Sequence, residues 1–189
     1  TMVNSQLPSL NSQLGGSAEG ETVVVMTIGG NDMQAAIPAV LFGGDAKADE
    51  AIEEMIENFN TIADFFDDSD RFPDGVYVYL ANVYEPTDDE GYWPSCFAGI
   101  DIGSTMDNLD DANQAIRDFA VDREVAMIDM SGHFKGHGYY NDDPQNPHFD
   151  EDDQTLWFAN DCIHPNNRGH HELRRLFFDT IDGVALQLE

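Results

Sequence analysis

Asp161-Cys162-Ile163-His164-Pro165 places a carboxylate three residues before an imidazole within one turn. At that spacing the carboxylate can reach the ring Nδ1–H, fix the tautomer and stabilise the imidazolium. Nε2 is then left to take a proton from a nucleophile. A second group stands far upstream: Gly29-Gly30-Asn31-Asp32 follows an apolar run, where the Asn31 amide could donate to a developing oxyanion. Gly30, Asp32 and Ile163 flank these groups and are the expected lining of a substrate pocket. Each group also has a plainer reading. Asp161 could cap the following helix beside a surface His164, and Gly-Asn is at home in a turn leaving a strand. Pro165 suits the first turn of that helix, where a missing N–H costs little.

No serine stands in obvious relation to this acid–base pair. Ser131 lies at the expected end of a strand before Gly132, and Ser104 lies in Asp101-Ile102-Gly103-Ser104. Either would have to sit within hydrogen-bond reach of His164 to serve as a nucleophile, and neither is expected to. His133, His137 and His148 are scattered and lack the convergent spacing of a zinc site. Oxygen ligands for calcium abound in Asp67-Asp68-Ser69-Asp70 and across 141–153, without the twelve-residue calcium-loop pattern. No metal or other cofactor is expected. Cys96 and Cys162 fit either two buried thiols or one disulfide tying a loop to the Asp161–His164 turn; spacing alone does not decide.

These residues must be held by something, and the apolar pattern says what. Thr22 to Ile28, Val76 to Val83 and Val125 to Met130 are apolar, largely β-branched runs of the kind buried in a parallel sheet. Between them run helical stripes. One comprises Ile52, Met55, Ile56, Phe59, Ile62, Ala63 and Phe66, and a second Leu109, Ala112, Ile116, Phe119 and Ala120. A third, Leu173, Leu176, Phe177 and Ile181, closes the chain. Alternating strands and amphipathic helices predict one α/β domain over 1–189, a parallel sheet between helical layers. Ligands in such folds bind beyond the carboxyl ends of the strands. Pro86 to Met106 and Ser131 to Asn160 are long, Gly- and Asp-rich and dotted with aromatics, and are expected to be loops walling a cleft. The stretch from His133 to Tyr140 is expected to line it.

Charge removes some partners. Thirty-seven acidic residues against eight basic ones give a net charge of −29, with Lys47 and Lys135 the two lysines. Such a surface repels nucleic acid and anionic membranes, because phosphate binding needs clustered Lys and Arg. It fits adaptation to a salty environment or simply an acidic secreted protein. The longest apolar stretch, near Val23 to Ile28, is far too short to span a bilayer.

The Gly29–Asp32 and Asp161–Pro165 groups together resemble the third and fifth sequence blocks of the SGNH (GDSL-type) hydrolase family. The surrounding text is similar as well. A Gln- and Leu-containing helix precedes TVVVMTIGGND, then come NVYEPTD, GHFKGHG and DCIHPNNRGHHELRRLF. The resemblance spans nearly the whole chain. It implies a flavodoxin-like three-layer α/β/α sandwich hydrolysing carboxylic esters, from small molecules to lipids, through a Ser–His–Asp triad. By match of motif, His164 is the general base, Asp161 its orienting carboxylate and Asn31 an oxyanion-hole donor. The family's first block, with the nucleophilic serine and the first strand, and its second, with an oxyanion-hole glycine, have no counterpart here. The chain, starting at Thr1, resembles one that begins just after that second block. The expectation is therefore a companion N-terminal polypeptide that carries the serine, and a secreted or periplasmic protein whose signal lies upstream. The alternative is a non-catalytic binding domain on the same scaffold.

Overall fold

A computed structural model describes residues 2–96 and 99–185. Phe97 and Ala98, inside the first expected loop, lie outside the described residues. After a π-helical turn (Met2–Gln6) the elements run α1 (Leu7–Leu14), β1 (Thr22–Met26), α2 (Gly30–Gly43), α3 (Asp45–Phe66) and β2 (Val76–Ala81). A 3-10 turn (Gly103–Thr105) leads into α4 (Met106–Asp122), then β3 (Ala126–Ile128), α5 (Met130–Phe134) and α6 (Asn167–Ala185).

The three strands form a parallel sheet in the order β1-β2-β3. Thr22 pairs with Val76 and Tyr79 with Ala126. Alternation along each strand sends side chains to two different cores. Val24 and Met26 of β1 and Val76, Val78 and Leu80 of β2 face a core built with Met55, Phe59 and Ile62 of α3 and Ala112, Ile116 and Phe119 of α4. The Phe59 and Phe119 rings meet edge-on, 5.5 Å apart. Tyr79, Ala81, Ala126 and Ile128 face a second core with Phe134, Trp157, Phe158 and Leu173, Leu176 and Phe177 of α6. Helices therefore pack on both faces, over β3 and part of β2 on the second one, and the expected α/β fold with a parallel sheet is the observed one.

Three differences from the sequence reading have physical causes. The strands are shorter than their apolar runs because the backbone leaves each ladder to form the carboxyl-end turns. Helix α2 carries no single apolar stripe: Met33 and Val40 are buried, Phe42 is 94% exposed and Pro38 lies inside it. It starts at Gly29, whose φ of 100° and whose closeness to the Met55 sulfur and the Phe59 ring admit no side chain without strain. Finally, Met130, expected to end a strand, and residues 131–134, expected as loop, form the short α5. Its cap is Asp129, whose carboxylate accepts the Gly132 N–H.

The strand ends at the carboxyl side are tied by buried amides. Asn82 donates to Asp129 Oδ1 (2.7 Å) and accepts from the Ser131 N–H (2.7 Å), joining β2 to β3. Asn113 of α4 accepts from the Val83 N–H (2.8 Å) and donates to the Val83 carbonyl (2.9 Å). With almost no exposure, these side chains satisfy backbone groups that the ending ladder leaves unpaired.

Candidate active site

The Asp161–His164 turn is built from its own backbone outward. Asp161 Oδ1 accepts the N–H groups of Ile163 (3.1 Å) and His164 (2.9 Å), and Oδ2 lies 2.8 Å from His164 Nδ1. Cys162 between them takes a left-handed conformation, φ 67°. Three hydrogen bonds, the largest influence being those from His164, hold the Asp161 carboxyl at a pKa of about 2. The carboxylate is thus ionised at any ordinary pH and orients the ring. His164 is 70% exposed at its side chain, and its Nε2 points away from Asp161, where it can face a nucleophile.

The turn is clamped on both sides. Ala159 N–H donates to the His164 carbonyl (2.8 Å), and Asn166 N–H to the Trp157 carbonyl (2.8 Å). The Asn166 side chain donates to the carbonyls of Leu156 (2.7 Å) and Phe158 (3.1 Å). Its Oδ1 accepts from Arg168 and Gly169, capping α6. Asn166, not Asp161, is therefore the helix cap, and Pro165 precedes the helix instead of opening it. It pairs with Phe158 as an isolated bridge. Gly169 is required because a Cβ there would meet the Trp157 carbonyl oxygen at 2.3 Å.

Cys96 and Cys162 form a disulfide, which decides between the two readings left open by their spacing. It fastens the 91–96 loop to the residue between acid and base. The two long segments are also locked to each other. Buried Asp88 accepts from the N–H groups of Gly136 (3.0 Å), Gly138 (3.0 Å) and Tyr140 (3.1 Å). Burial pushes its carboxyl up, against those bonds. Burial would likewise raise Asp89, but Lys135 and His148, each at 2.6 Å, bring it below the usual carboxylate range. His148 thus pairs with an acid, and among the described residues no group of three or more His, Cys, Asp or Glu is placed to hold a metal ion.

Gly30, Asn31 and Asp32 form the first turn of α2, with Asn31 and Asp32 exposed. Gly30 lies against Val83. The next residue, Tyr84, stacks on Phe134 and feels the Asp161 charge; burial first, then that charge, pushes its phenol up to about 12. Val83 and Tyr84, just past the carboxyl end of β2, thus lie against Gly30 on one side and within the influence of Asp161 on the other. No hydrogen bond joins Asn31 to Asp161 or His164 among the described residues, and Ile163 is half-buried in the turn. Ser131 is engaged by Asn82 through its N–H and by Asn113 through its hydroxyl (3.4 Å); Ser104 lies in the 3-10 turn before α4. Neither makes a hydrogen bond to His164 among the described residues.

Compared by sequence, the chain matches no protein-family profile and no curated protein. Compared by structure, it superposes on phospholipase A1 from Streptomyces albidoflavus with a TM-score of 0.57 at 20% identity, over 92% of this chain and 73% of that one. The fold is shared with a Streptomyces phospholipase. An extracellular lipase from Streptomyces rimosus aligns more loosely, with a TM-score of 0.49 at 16% identity over 94% of this chain and 75% of the lipase. No described helix is long and apolar enough to cross a membrane.

Residues that the sequence reading missed are Asn166, Asn82 and Asn113, which hold the site's scaffold, and Tyr84, which feels the Asp161 charge; Tyr139, in the stretch expected to line the cleft, feels it too. Asparagine ahead of an apolar helical stripe is a favoured cap, and that signal could have found Asn166 as a cap though not as a clamp.

Proposed function

We propose that this chain supplies the acid–base half of a serine ester hydrolase. The observation that carries the reading is the 2.8 Å Asp161–His164 Nδ1 contact, with Nε2 exposed at the carboxyl end of a parallel sheet. In the reaction, a serine hydroxyl attacks the acyl carbon while His164 Nε2 takes its proton. Asp161 stabilises the imidazolium, and the proton passes to the departing alcohol oxygen as the acyl-enzyme forms. Water then repeats the sequence, releasing the acid and regenerating serine. Asn31 serves as an oxyanion donor, with Gly30, Asp32 and Ile163 around the reacting group.

In this reading the serine comes from a segment outside these 189 residues, the companion N-terminal piece expected from the sequence. Support lies in the sheet: β1 is hydrogen-bonded on one side to β2, and no strand pairs with its other side among the described residues. On the face carrying α6, Val23 (54% exposed), Val25 (49%) and Tyr77 (38%) remain open. An open edge beside uncovered β-branched residues is what a further strand and its helix would cover. The phospholipase to which the fold is similar supports carboxylic esters as the substrate class, with anionic interfaces disfavoured by the −29 charge. The disulfide fits a secreted or periplasmic location.

The test is hydrolysis of a short-chain p-nitrophenyl ester by the chain together with its companion. Asp161→Asn and His164→Ala should each lower kcat/KM on the order of 10⁴-fold. Unchanged rates in both variants would refute the assignment.

A further inference from the structure

A set of aromatic rings beside the Asp161–His164 turn has no part in the proton transfers. Trp93 is half-buried, stacked on Tyr139 with centroids 5.1 Å apart and planes 21° from parallel. Tyr140 meets it edge-on at 5.3 Å and 83°. Both tyrosines are themselves only half-buried.

Two separate tethers fix these rings to the catalytic turn, and a third ties the rings' loops to each other. The Tyr139 hydroxyl donates to the Ala159 carbonyl (2.6 Å), two residues before Asp161. The Cys96–Cys162 disulfide holds the Trp93 loop to the residue between acid and base. The Tyr140 hydroxyl donates to the Tyr92 carbonyl (3.0 Å), closing the loop onto the same rings. A partly exposed indole on a loop cross-linked to the residue between acid and base is placed to meet whatever that base acts on. The phenol of Tyr140 is pushed up by burial and then by Glu90, with Tyr92, Asp143 and Asp101 adding to it. None of these three acids is ion-paired among the described residues, so the rim repels anions.

Resting on the ester-hydrolase reading above, we propose that Trp93, backed by Tyr139 and edged by Tyr140, is a specificity surface of that site, taking a flat uncharged ring of the substrate. The shared chemistry is a planar face offered to the indole, either an aryl ring or the C–H face of a pyranose. Aromatic faces favour offset or edge-on contact with such a partner beyond simple area burial.

The experiment is ligand-observed saturation-transfer NMR on the full chain, which needs no nucleophile. The probes are benzyl alcohol, methyl β-glucopyranoside and benzoate. Saturable transfer to the ring protons of one of the first two is expected, and which one answers identifies the source of the planar face. Trp93→Leu should weaken that binding about threefold to tenfold, Trp93→Phe should restore part of it, and benzoate should bind more weakly than benzyl alcohol. Tyr140→Leu, which keeps Trp93 and the disulfide, should also weaken binding and guards against a folding defect in the tryptophan variant. Equal binding in wild type and both leucine variants, or no saturable transfer to either neutral ring, overturns the inference. His164→Ala should leave ring binding unchanged. A protein whose serine reacts with fluorophosphonate yet binds no ring therefore sinks this inference alone and leaves the triad standing.

Discussion

Removing the Cys96–Cys162 disulfide should destabilise the chain chiefly by loosening its unfolded state. The bridge spans 66 residues of sequence. Closing a segment of that length removes denatured-state entropy worth about 4 kcal/mol at 25 °C, before any loss of native contacts. Opposing it, the turn at Asp161 keeps its own hydrogen bonds to Ile163 and His164, and Asp88 still locks the two long loops together. The native state should therefore survive, with the loss falling on the unfolded reference. The assay is urea unfolding of the wild type and of the Cys96→Ser/Cys162→Ser double variant, followed by far-UV circular dichroism. A loss of about 3–4 kcal/mol is expected, with a larger m-value because the uncross-linked chain exposes more surface on unfolding. In a thermal scan this corresponds to roughly a 10 °C fall in Tm. A change below about 1 kcal/mol with the same m-value would refute the reasoning and mean that the loop is held without the bridge.

Other outcomes follow from the same contacts. Asn113→Leu strips both partners from the Val83 backbone in a buried place, and should cost about 1–3 kcal/mol in urea unfolding; a neutral effect would mean water replaces the amide. Val25→Lys puts a charge on the open face of β1 and should weaken association with the companion polypeptide in a pull-down roughly tenfold or more, while leaving the isolated chain's unfolding midpoint unchanged. A companion that binds the variant as tightly as wild type would place its contact elsewhere. His133 is held below the usual histidine range by burial, with Glu172 opposing. Its native form therefore binds protons less readily than the unfolded chain. The stability it contributes is present above the ordinary histidine pKa and is lost as pH falls through its lowered value. Glu85 and Asp88, raised by burial, act with the opposite sign at lower pH: their contribution is present below the ordinary carboxylate range and fades as pH rises through their raised values. Comparing wild type with His133→Gln between about pH 7 and 5 isolates the histidine; the variant should lose less stability on acidification, and parallel curves would contradict this.

The parts legible in sequence are those whose signal is local. Asp161 and His164 stand three residues apart, so their contact is written in one turn, and the stripes of α3 and α4 repeat at the helical period. Strand positions showed because strands of a parallel sheet packed between helices read as unbroken apolar runs. What stayed hidden is long-range or ambiguous by residue type. Helix α2 has apolar residues around much of its circumference and a proline within, so no period marks it. Asn82, Asn113 and Asn166 are the residue types of turns, and only their contacts in the fold reveal them as backbone clamps. Pro165 looked like a first-turn proline because helix starts and the turns before them use the same residues. The stacking of Trp93 on Tyr139 joins two separate loops, which no spacing rule anticipates.

Whether His164 and Asp161 serve a serine carried on another polypeptide is tested most directly by intact-mass spectrometry of the denatured, non-reduced protein, with and without a fluorophosphonate. A second, smaller polypeptide that gains a single adduct is expected, with loss of that adduct when His164 is replaced by alanine. A lone 21.0 kDa species without an adduct would contradict the two-piece hydrolase.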